Sequence, residues 1–260
     1  MLNELLKEVR KLNTITKYPS IFTYHELGKK GTVIEELTGQ YHECSDDEEL
    51  EGTEKVDGTG SRIVICGNDY LIGTREEFIY AKGDRIINDQ LNILKNCIPI
   101  AERLVSEYHF NNTKLLAIYG ETYGENIGRN YKNYGTKESS FKVFDMWSME
   151  VDDIKGLLKT DLEKLATWRE HANQPYFSID KLKKHCEELS LEKTPVLFSM
   201  KKKELPTSIE DMYKFLSQFK ETRVGIDCVG KSEGFVVRSS DRKYIKKIRF
   251  EEYEKTLKIR

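Results

Sequence analysis

Apolar residues recur along the chain at two spacings, and the switches between them predict its elements. Leu2, Leu5, Leu6, Val9 and Leu12 fall at helical intervals, so the chain opens on an amphipathic helix. The segment K-Y-P-S-I-F-T-Y-H-E-L, residues 17–27, reads as extended and is broken by Pro19. Strand-like runs follow at 61–66, 69–73 and 77–81, the first two joined by the turn G-N-D of Gly67 to Asp69. Helical spacing returns over 88–108, where Pro99 predicts a kink. Strands at 114–119, closed by Gly120, and at 141–147 come next.

Two more polar helices, 151–171 and 178–189, read as a peripheral layer and lead to a short strand at 196–199. Ser208 caps a helix over 208–219, with Asp211 three residues on. Segments 234–238 and 243–248 pair as a hairpin across S-S-D-R, and a short helix closes the chain. No repeat, low-complexity tract or linker divides it. Residues 1–260 therefore read as a single domain, with an N-terminal helix over 1–16 and a core over 17–253 that carries the motifs below. Largely antiparallel strands with segregated helices make the class α+β.

Composition narrows the function. At 260 residues, with 38% hydrophobic and 33% charged, the chain is polar but long enough to bury a core. No apolar run approaches a membrane span and the N-terminus is charged throughout, which predicts a cytoplasmic protein with no membrane partner. Five scattered cysteines without a C-x-x-C read as reduced, buried thiols, and Trp147 and Trp168 read as packing residues. The five histidines are equally dispersed, so no metal cage is expected, although a Mg²⁺ site of carboxylate and phosphate would leave no such trace. The net charge of −2 is uneven. Residues 43–54 hold seven acids and no base, read as a solvated loop. Residues 238–249 hold Arg238, Arg242, Lys243, Lys246, Lys247 and Arg249 against Asp241, the composition of a phosphate-binding surface.

Five polar clusters stand at strand ends: T-E-K-V-D-G-T-G-S-R at 53–62, G-T-R at 73–75, I-Y-G-E-T-Y-G at 118–124, K-V-F-D-M-W at 142–147, and E-G-F-V-V-R at 233–238 with K-Y-I-K-K-I-R behind it. Singly each is an ordinary turn or strand end; D-G is a common hairpin signal. In this order they resemble the covalent nucleotidyltransferase superfamily of ATP-dependent ligases and capping enzymes, and within it the phage-type RNA ligases. The resemblance covers about residues 17–253. Lys55-Val56-Asp57-Gly58 matches the nucleophile motif K-x-D-G, and Glu54 to Thr59 follows the RNA-ligase form E-K-x-D/H-G-T-N, with Gly60 in place of its asparagine. Arg75 matches the downstream arginine, Glu121 in Y-G-E the ribose-contacting glutamate, and Phe144 the adenine-stacking aromatic. Glu233-Gly234-Phe235-Val236 matches the metal-side glutamate motif. The last motif, K-x-K on a strand, meets K-K-I-R in two registers, Lys246 or Lys247 with Arg249, and strand alternation lets only one face a site.

The resemblance implies a nucleotidyltransferase (ATP-grasp-like DNA/RNA ligase) adenylylation domain with no appended OB-fold, because about ten residues follow Arg249. That leaves room for a protein partner supplying a C-terminal domain. It also implies an ATP-dependent RNA ligase acting on RNA with 5′-phosphate and 3′-hydroxyl ends, using ATP and Mg²⁺ (or Mn²⁺). Lys55, Glu233 and Lys247 would be catalytic, Glu233 also the metal ligand. Glu54, Asp57, Gly58, Arg62, Arg75, Glu121, Phe144, Lys246 and Arg249 would contact the nucleotide. Residue chemistry agrees. A lysine amine attacks phosphorus only when deprotonated, which nearby cations and desolvation favour. Glu121 suits ribose hydroxyls, Phe144 offers a flat face, and the bases at 246–249 suit a triphosphate. Arg62 suits a phosphate or a solvent-facing strand position, and Arg75 a phosphate or the open surface. The rivals are a DNA or nicked-hybrid ligase, a GTP-using capping enzyme, and a non-catalytic nucleic-acid-binding module on the same scaffold.

Overall fold

The computed structural model describes residues 2–39, 41–42, 44–89 and 91–259; Met1 of the first helix and Glu43 of the acidic run lie outside them. Thirteen strands are labelled in chain order among the described residues. The first eight are β1 (Phe22–Thr23), β2 (His25–Leu27), β3 (Val33–Leu37), β4 (Glu49–Lys55), β5 (Thr59–Cys66), β6 (Asp69–Thr74), β7 (Phe78–Ala81) and β8 (Asp84–Arg85). The rest are β9 (Lys114–Gly124), β10 (Ser139–Glu150), β11 (Val196–Lys201), β12 (Gly234–Ser239) and β13 (Ile245–Arg249). One sheet runs β10-β9-β5-β6-β7-β8, a second β1-β13-β12-β4-β11, and β2 pairs β3 alone. Every pairing is antiparallel except β1 with β13. The α+β class is thus observed.

Period-two burial assigns each face of the six-stranded sheet. Ile63 and Ile65 point to one side, where α3 (Ile93–Glu107) contributes Leu94, Cys97 and Leu104. On that side α6 (Ile179–Glu188) adds Leu182 and Cys186. Val64 and Cys66 point to the other, under Leu2 and Leu5 of α1 (Leu2–Leu5) and Leu12 and Ile15 of α2 (Val9–Thr16). There α4 (Val151–Leu158) adds Ile154 and α5 (Leu162–Glu170) adds Leu165. The five-stranded sheet buries Leu50, Phe235, Val237 and Ile248 against α7 (Ile209–Leu216) and α8 (Phe250–Leu257). Its other face is left for the cavity.

Several expectations are corrected. The acidic run is no loop over its second half, because Glu49–Lys55 is the inner strand β4 between β12 and β11. The stretch 151–171 is two helices, α4 and α5, and both bury side chains in the core. Gly120 does not end β9. It lies under the Phe141 ring and the Lys142 carbonyl, where a Cβ would collide, so the strand needs glycine there to keep its pairing with β10. The helix α3 starts at Ile93 rather than at 88, with Pro99 inside it. Cys66, Cys97 and Cys186 are buried as expected, whereas Cys44 and Cys228 are partly exposed. Among the described residues no helix is long and apolar enough to cross a membrane.

Candidate active site

The two sheets are joined directly by the segment Val56 to Gly58, and Lys55 is the last residue of β4 before it. Alternation along β4 turns Leu50, Gly52 and Glu54 toward the α7/α8 core and leaves Thr53 and Lys55 on the cavity side. Lys55 Nζ donates to Glu233 Oε2 at 2.5 Å. Glu233 stands just ahead of β12, and Gly234 pairs across the ladder with both Lys55 and Arg249. Arg249 Nη1 lies 3.6 Å from Glu233 Oε1, while its other nitrogens are hydrogen-bonded to Glu252. The carboxylate of Glu233 therefore sits between two cations.

The turn after Lys55 is fixed by a tyrosine that no motif points to. The Tyr134 hydroxyl, fully buried, accepts from the backbone N–H of Asp57 and from that of Glu233, each at 3.1 Å. One oxygen thus ties the nucleophile motif to the glutamate motif. Gly58 packs so close to the Thr122 carbonyl that a Cβ would collide with it. Asp57 Oδ2 accepts from Asn130 Nδ2 at 2.6 Å.

Lys55, Glu121, Phe144, Glu233, Lys247 and Arg249 all line one cavity of about 460 Å³ between the sheets, with Asp57, Gly58 and Arg75 at its wall. Glu121 is half-buried, and its carboxyl is pushed up to about 8 by burial, with Glu233 and Asp57 adding to the rise and Lys55 opposing it. Phe144 is the residue skipped where the β10 register slips between Val143 and Asp145. Such a bulge re-aims a side chain, and here Phe144 joins the cavity wall. The Tyr18 ring meets it edge-on, with centroids 5.0 Å apart. The Lys247 amine is pulled down by burial, then by Arg249 and Lys55. Arg75 is largely exposed, with Nη2 3.3 Å from Ser20 Oγ.

Three sequence assignments are corrected. Glu54 is at the cavity wall, but its carboxylate turns away from it. Its carboxylate accepts from Thr222 Oγ1 at 2.5 Å and from the Arg223 N–H at 2.8 Å, anchoring that segment to the back of β4. Lys246 also points away, because Lys247 and Arg249 take the cavity-facing parity of β13; its amine donates to the carbonyls of Thr38 at 2.7 Å and Gly39 at 2.5 Å. Burial pushes that amine down to about 8. Arg62 reaches the cavity wall but spends its guanidinium on the Asn13 carbonyl and side chain, over the Phe78 ring. It is neither solvent-facing nor presented to a phosphate, since even-numbered residues of β5 face α2.

The basic run 238–249 is likewise dismantled. Asp145, fully buried, accepts from Arg238 Nη1 at 2.9 Å, Arg242 Nε at 2.8 Å and Tyr18 Oη at 2.9 Å. Lys243 pairs with Asp241 at 3.1 Å. Of the six, Arg238, Lys247 and Arg249 line the cavity, and Arg238 spends its guanidinium on Asp145 and the Phe177 carbonyl. Tyr18, Asp145 and Tyr134 are the residues that sequence reasoning missed; Tyr18 lies in the K-Y-P-S-I stretch, and nothing singles out Tyr134 among fourteen tyrosines.

Among the described residues no group of three or more His, Cys, Asp or Glu side chains could cage a metal ion. The donor set at the cavity is Glu233, with Glu121 and Asp57 nearby. These hard oxygens suit a divalent cation whose shell is completed by water and phosphate, and do not suit a resident all-protein site.

Known proteins share the family and the fold. A family model described as RNA ligase matches residues 48–259. No curated protein matches significantly. Solved structures that match include a mutant of Naegleria gruberi RNA ligase with ATP and Mn, at 16% identity and a TM-score of 0.52, over 93% of this chain and 64% of that one. An apo mutant of the same ligase matches at 15% identity and TM-score 0.53, over 95% and 62%. The Naegleria gruberi ligase with PPi matches at 16% identity and TM-score 0.51, over 93% and 64%. At these identities the likeness is one of fold, and the chain spans less than two thirds of the length of those structures.

Proposed function

The chain belongs to the RNA ligase family, and from that premise we propose that it joins RNA ends through an ATP-derived adenylate on Lys55. The observation that carries this reading is the convergence of Lys55, Glu121, Phe144, Glu233, Lys247 and Arg249 on one cavity. In the resting site Lys55 is ion-paired with Glu233. Attack requires that pair to part and the amine to lose its proton. Lys55 Nζ then bonds to the α-phosphorus of ATP, the bond to the bridging oxygen breaks, and pyrophosphate leaves. The adenylyl group passes to an RNA 5′-phosphate, and a 3′-hydroxyl displaces AMP.

Each neighbour has a role in this scheme. Phe144 stacks on the adenine, with Tyr18 bracing its edge. Glu121, protonated near neutral pH, both donates to and accepts from the ribose hydroxyls. Lys247 and Arg249 offset charge on the phosphates. Glu233 would hold the divalent cation, whose contribution is to neutralise phosphate charge. The named ATP and Mn ligands of the Naegleria gruberi structures support the choice of nucleotide and of a metal-dependent step.

The test is incubation with α-labelled ATP or GTP and Mg²⁺, followed by mass spectrometry of the labelled peptide and a panel of 5′-phosphorylated RNA and DNA strands. Label from ATP on Lys55 and sealing of RNA 3′ ends are expected. Lys55→Ala should abolish label without shifting the unfolding transition. Label on another lysine, or from GTP in preference, would sink the mechanism; equal sealing of DNA 3′ ends would sink the RNA assignment alone.

A further inference from the structure

The internal consumption of residues 238–249 leaves the question of what holds a polynucleotide. Residues 126–137, within the connection 125–138 from β9 to β10, read N-I-G-R-N-Y-K-N-Y-G-T-K and contain three bases and no acid, flanked by Glu125 and Glu138. Arg129, Lys132 and Lys137 are exposed. None of the ion pairs formed among the described residues includes them. Of the adjoining acids, Glu125 pairs with Lys95 at 2.5 Å, whereas Asp57 and Asp227 lie against the loop, accepting from Asn130 and from the backbone N–H of Thr136 at 3.0 Å and Lys137 at 3.2 Å. Asp227 and, just past the loop, Glu138 are exposed acids beside it.

This loop is built into the structure. Tyr134 is buried with Val56, Tyr123 and Val224. The Tyr134 carbonyl accepts from Ile226 N–H at 2.6 Å and the Asn133 carbonyl from Gly230 N–H at 2.9 Å. Through Asn130 and the Tyr134 hydroxyl the same loop grips the turn that follows Lys55. The loop backbone that carries Arg129 and Lys132 therefore stands at a fixed place beside the turn that follows Lys55. Glu251 at the start of α8 is held low chiefly by Lys255, and Arg249 and Arg129 add to the effect. Arg129 and Arg249 thus both act on the Glu251 carboxylate. Tyr131, half-buried, carries Lys132 Nζ 6.0 Å from its ring centroid.

We propose that loop 126–137 is the docking surface for an unpaired RNA strand, with Arg129 and Lys132 on successive phosphates and the Tyr131 ring as a stacking face for a base. The proposal rests on the ligase reading above. Fixed cations give salt-dependent affinity and an aromatic face gives affinity that is nearly insensitive to salt, so the two contributions separate by experiment.

Binding of a fluorescent 5′-phosphorylated RNA oligonucleotide would be followed across a salt series, beside lysyl-AMP formation from ATP alone. For the double variant Arg129→Ala, Lys132→Ala the slope of log affinity against log salt should shrink by about 1.4, at about 0.7 for each single-strand phosphate that is no longer neutralised. Affinity at low salt should fall about tenfold or more, while lysyl-AMP yield stays within about twofold of wild type. The charge-keeping pair Arg129→Lys, Lys132→Arg should retain the slope. Tyr131→Ala should weaken binding without changing it. An unchanged slope in the alanine pair overturns the proposal, as does loss of lysyl-AMP in that pair, which would make the loop a scaffold for the turn. Absence of lysyl-AMP in the wild type refutes the ligase reading instead, and the salt slope still reports on the loop.

Discussion

Replacing Asp145 by alanine should destabilise the protein more than any other exchange of a polar residue around the cavity. Its carboxylate is fully buried and takes four hydrogen bonds, two of them from guanidinium groups that are only 6% and 3% exposed. The two arginines depend on it unequally. Arg238 also donates to the Phe177 carbonyl at 2.7 Å, so it keeps a partner. Arg242 has no hydrogen bond at Nη1 or Nη2 among the described residues, and its guanidinium lies between the Tyr176 and Tyr18 rings, 3.9 and 4.8 Å from their centroids. Without Asp145 it is a buried cation with aromatic faces alone. Breaking a buried pair from one side costs about 3–5 kcal/mol, and the stranded arginine places this case near the upper end. For a chain of this length that corresponds to a melting temperature about 10–15 °C lower. Urea unfolding followed by fluorescence gives the comparison, read from the midpoint at constant slope. Adding Arg242→Met to Asp145→Ala removes the stranded charge and should recover about 1–2 kcal/mol, a coupling that independent sites would not show. A loss below about 1 kcal/mol for Asp145→Ala, or strict additivity in the pair, would refute the reasoning.

Three further outcomes follow from the site. Tyr134→Phe leaves the Asp57 and Glu233 N–H groups without their acceptor, at about 1–3 kcal/mol for each buried donor; single-turnover lysyl-AMP formation should slow about tenfold at saturating ATP, with a smaller change in the KM for ATP, and an unchanged rate would remove Tyr134 from the positioning role. The Glu121 carboxyl is raised from 4.5 to about 8, so between those pH values the folded chain holds a proton that the unfolded chain has lost, and stability falls as pH rises through that window; Glu121→Gln should flatten this slope and be the more stable protein at pH 8, as thermal melts across pH 5–9 would show. Lys247→Ala should depress lysyl-AMP formation strongly while leaving stability nearly intact, and Lys246→Ala should do the reverse, as labelling and melting measured on both variants would show.

What was legible in the chain is the convergence of residues whose placement depends on local pattern. Lys55, Glu121, Phe144, Glu233, Lys247 and Arg249 each sit at or beside a strand, and all reach the same cavity. What failed was the side of the strand. Glu54 and Arg62 have the composition of nucleotide contacts, but which parity faces the cavity depends on where α2 and α7 pack, and that is a property of the fold. The basic run failed for a related reason. Its partners, Asp145 and the carbonyls of Thr38 and Gly39, are about a hundred and about two hundred positions away, and an ion pair over such a separation leaves no periodicity to read. Phe144 was found by motif, yet the register slip that aims it is invisible without the β9 partner. Tyr134 carried no signal at all.

The direct passage from β4 to β5 through Val56 to Gly58 bears on how activity is lost during unfolding. Lys55 ends a strand of one sheet, Glu121 and Phe144 belong to the other, and the cavity exists only while both are docked. On the proposed mechanism, no half of the molecule would carry a competent nucleophile by itself. A partly melted chain that keeps either sheet should therefore be silent toward ATP, and the yield of covalent label after a short pulse in denaturant should count intact molecules one for one. Label would vanish at the first loss of sheet docking even where helicity persists, so the gap between the labelling curve and the circular dichroism curve would measure how far the two sheets melt as one cooperative unit.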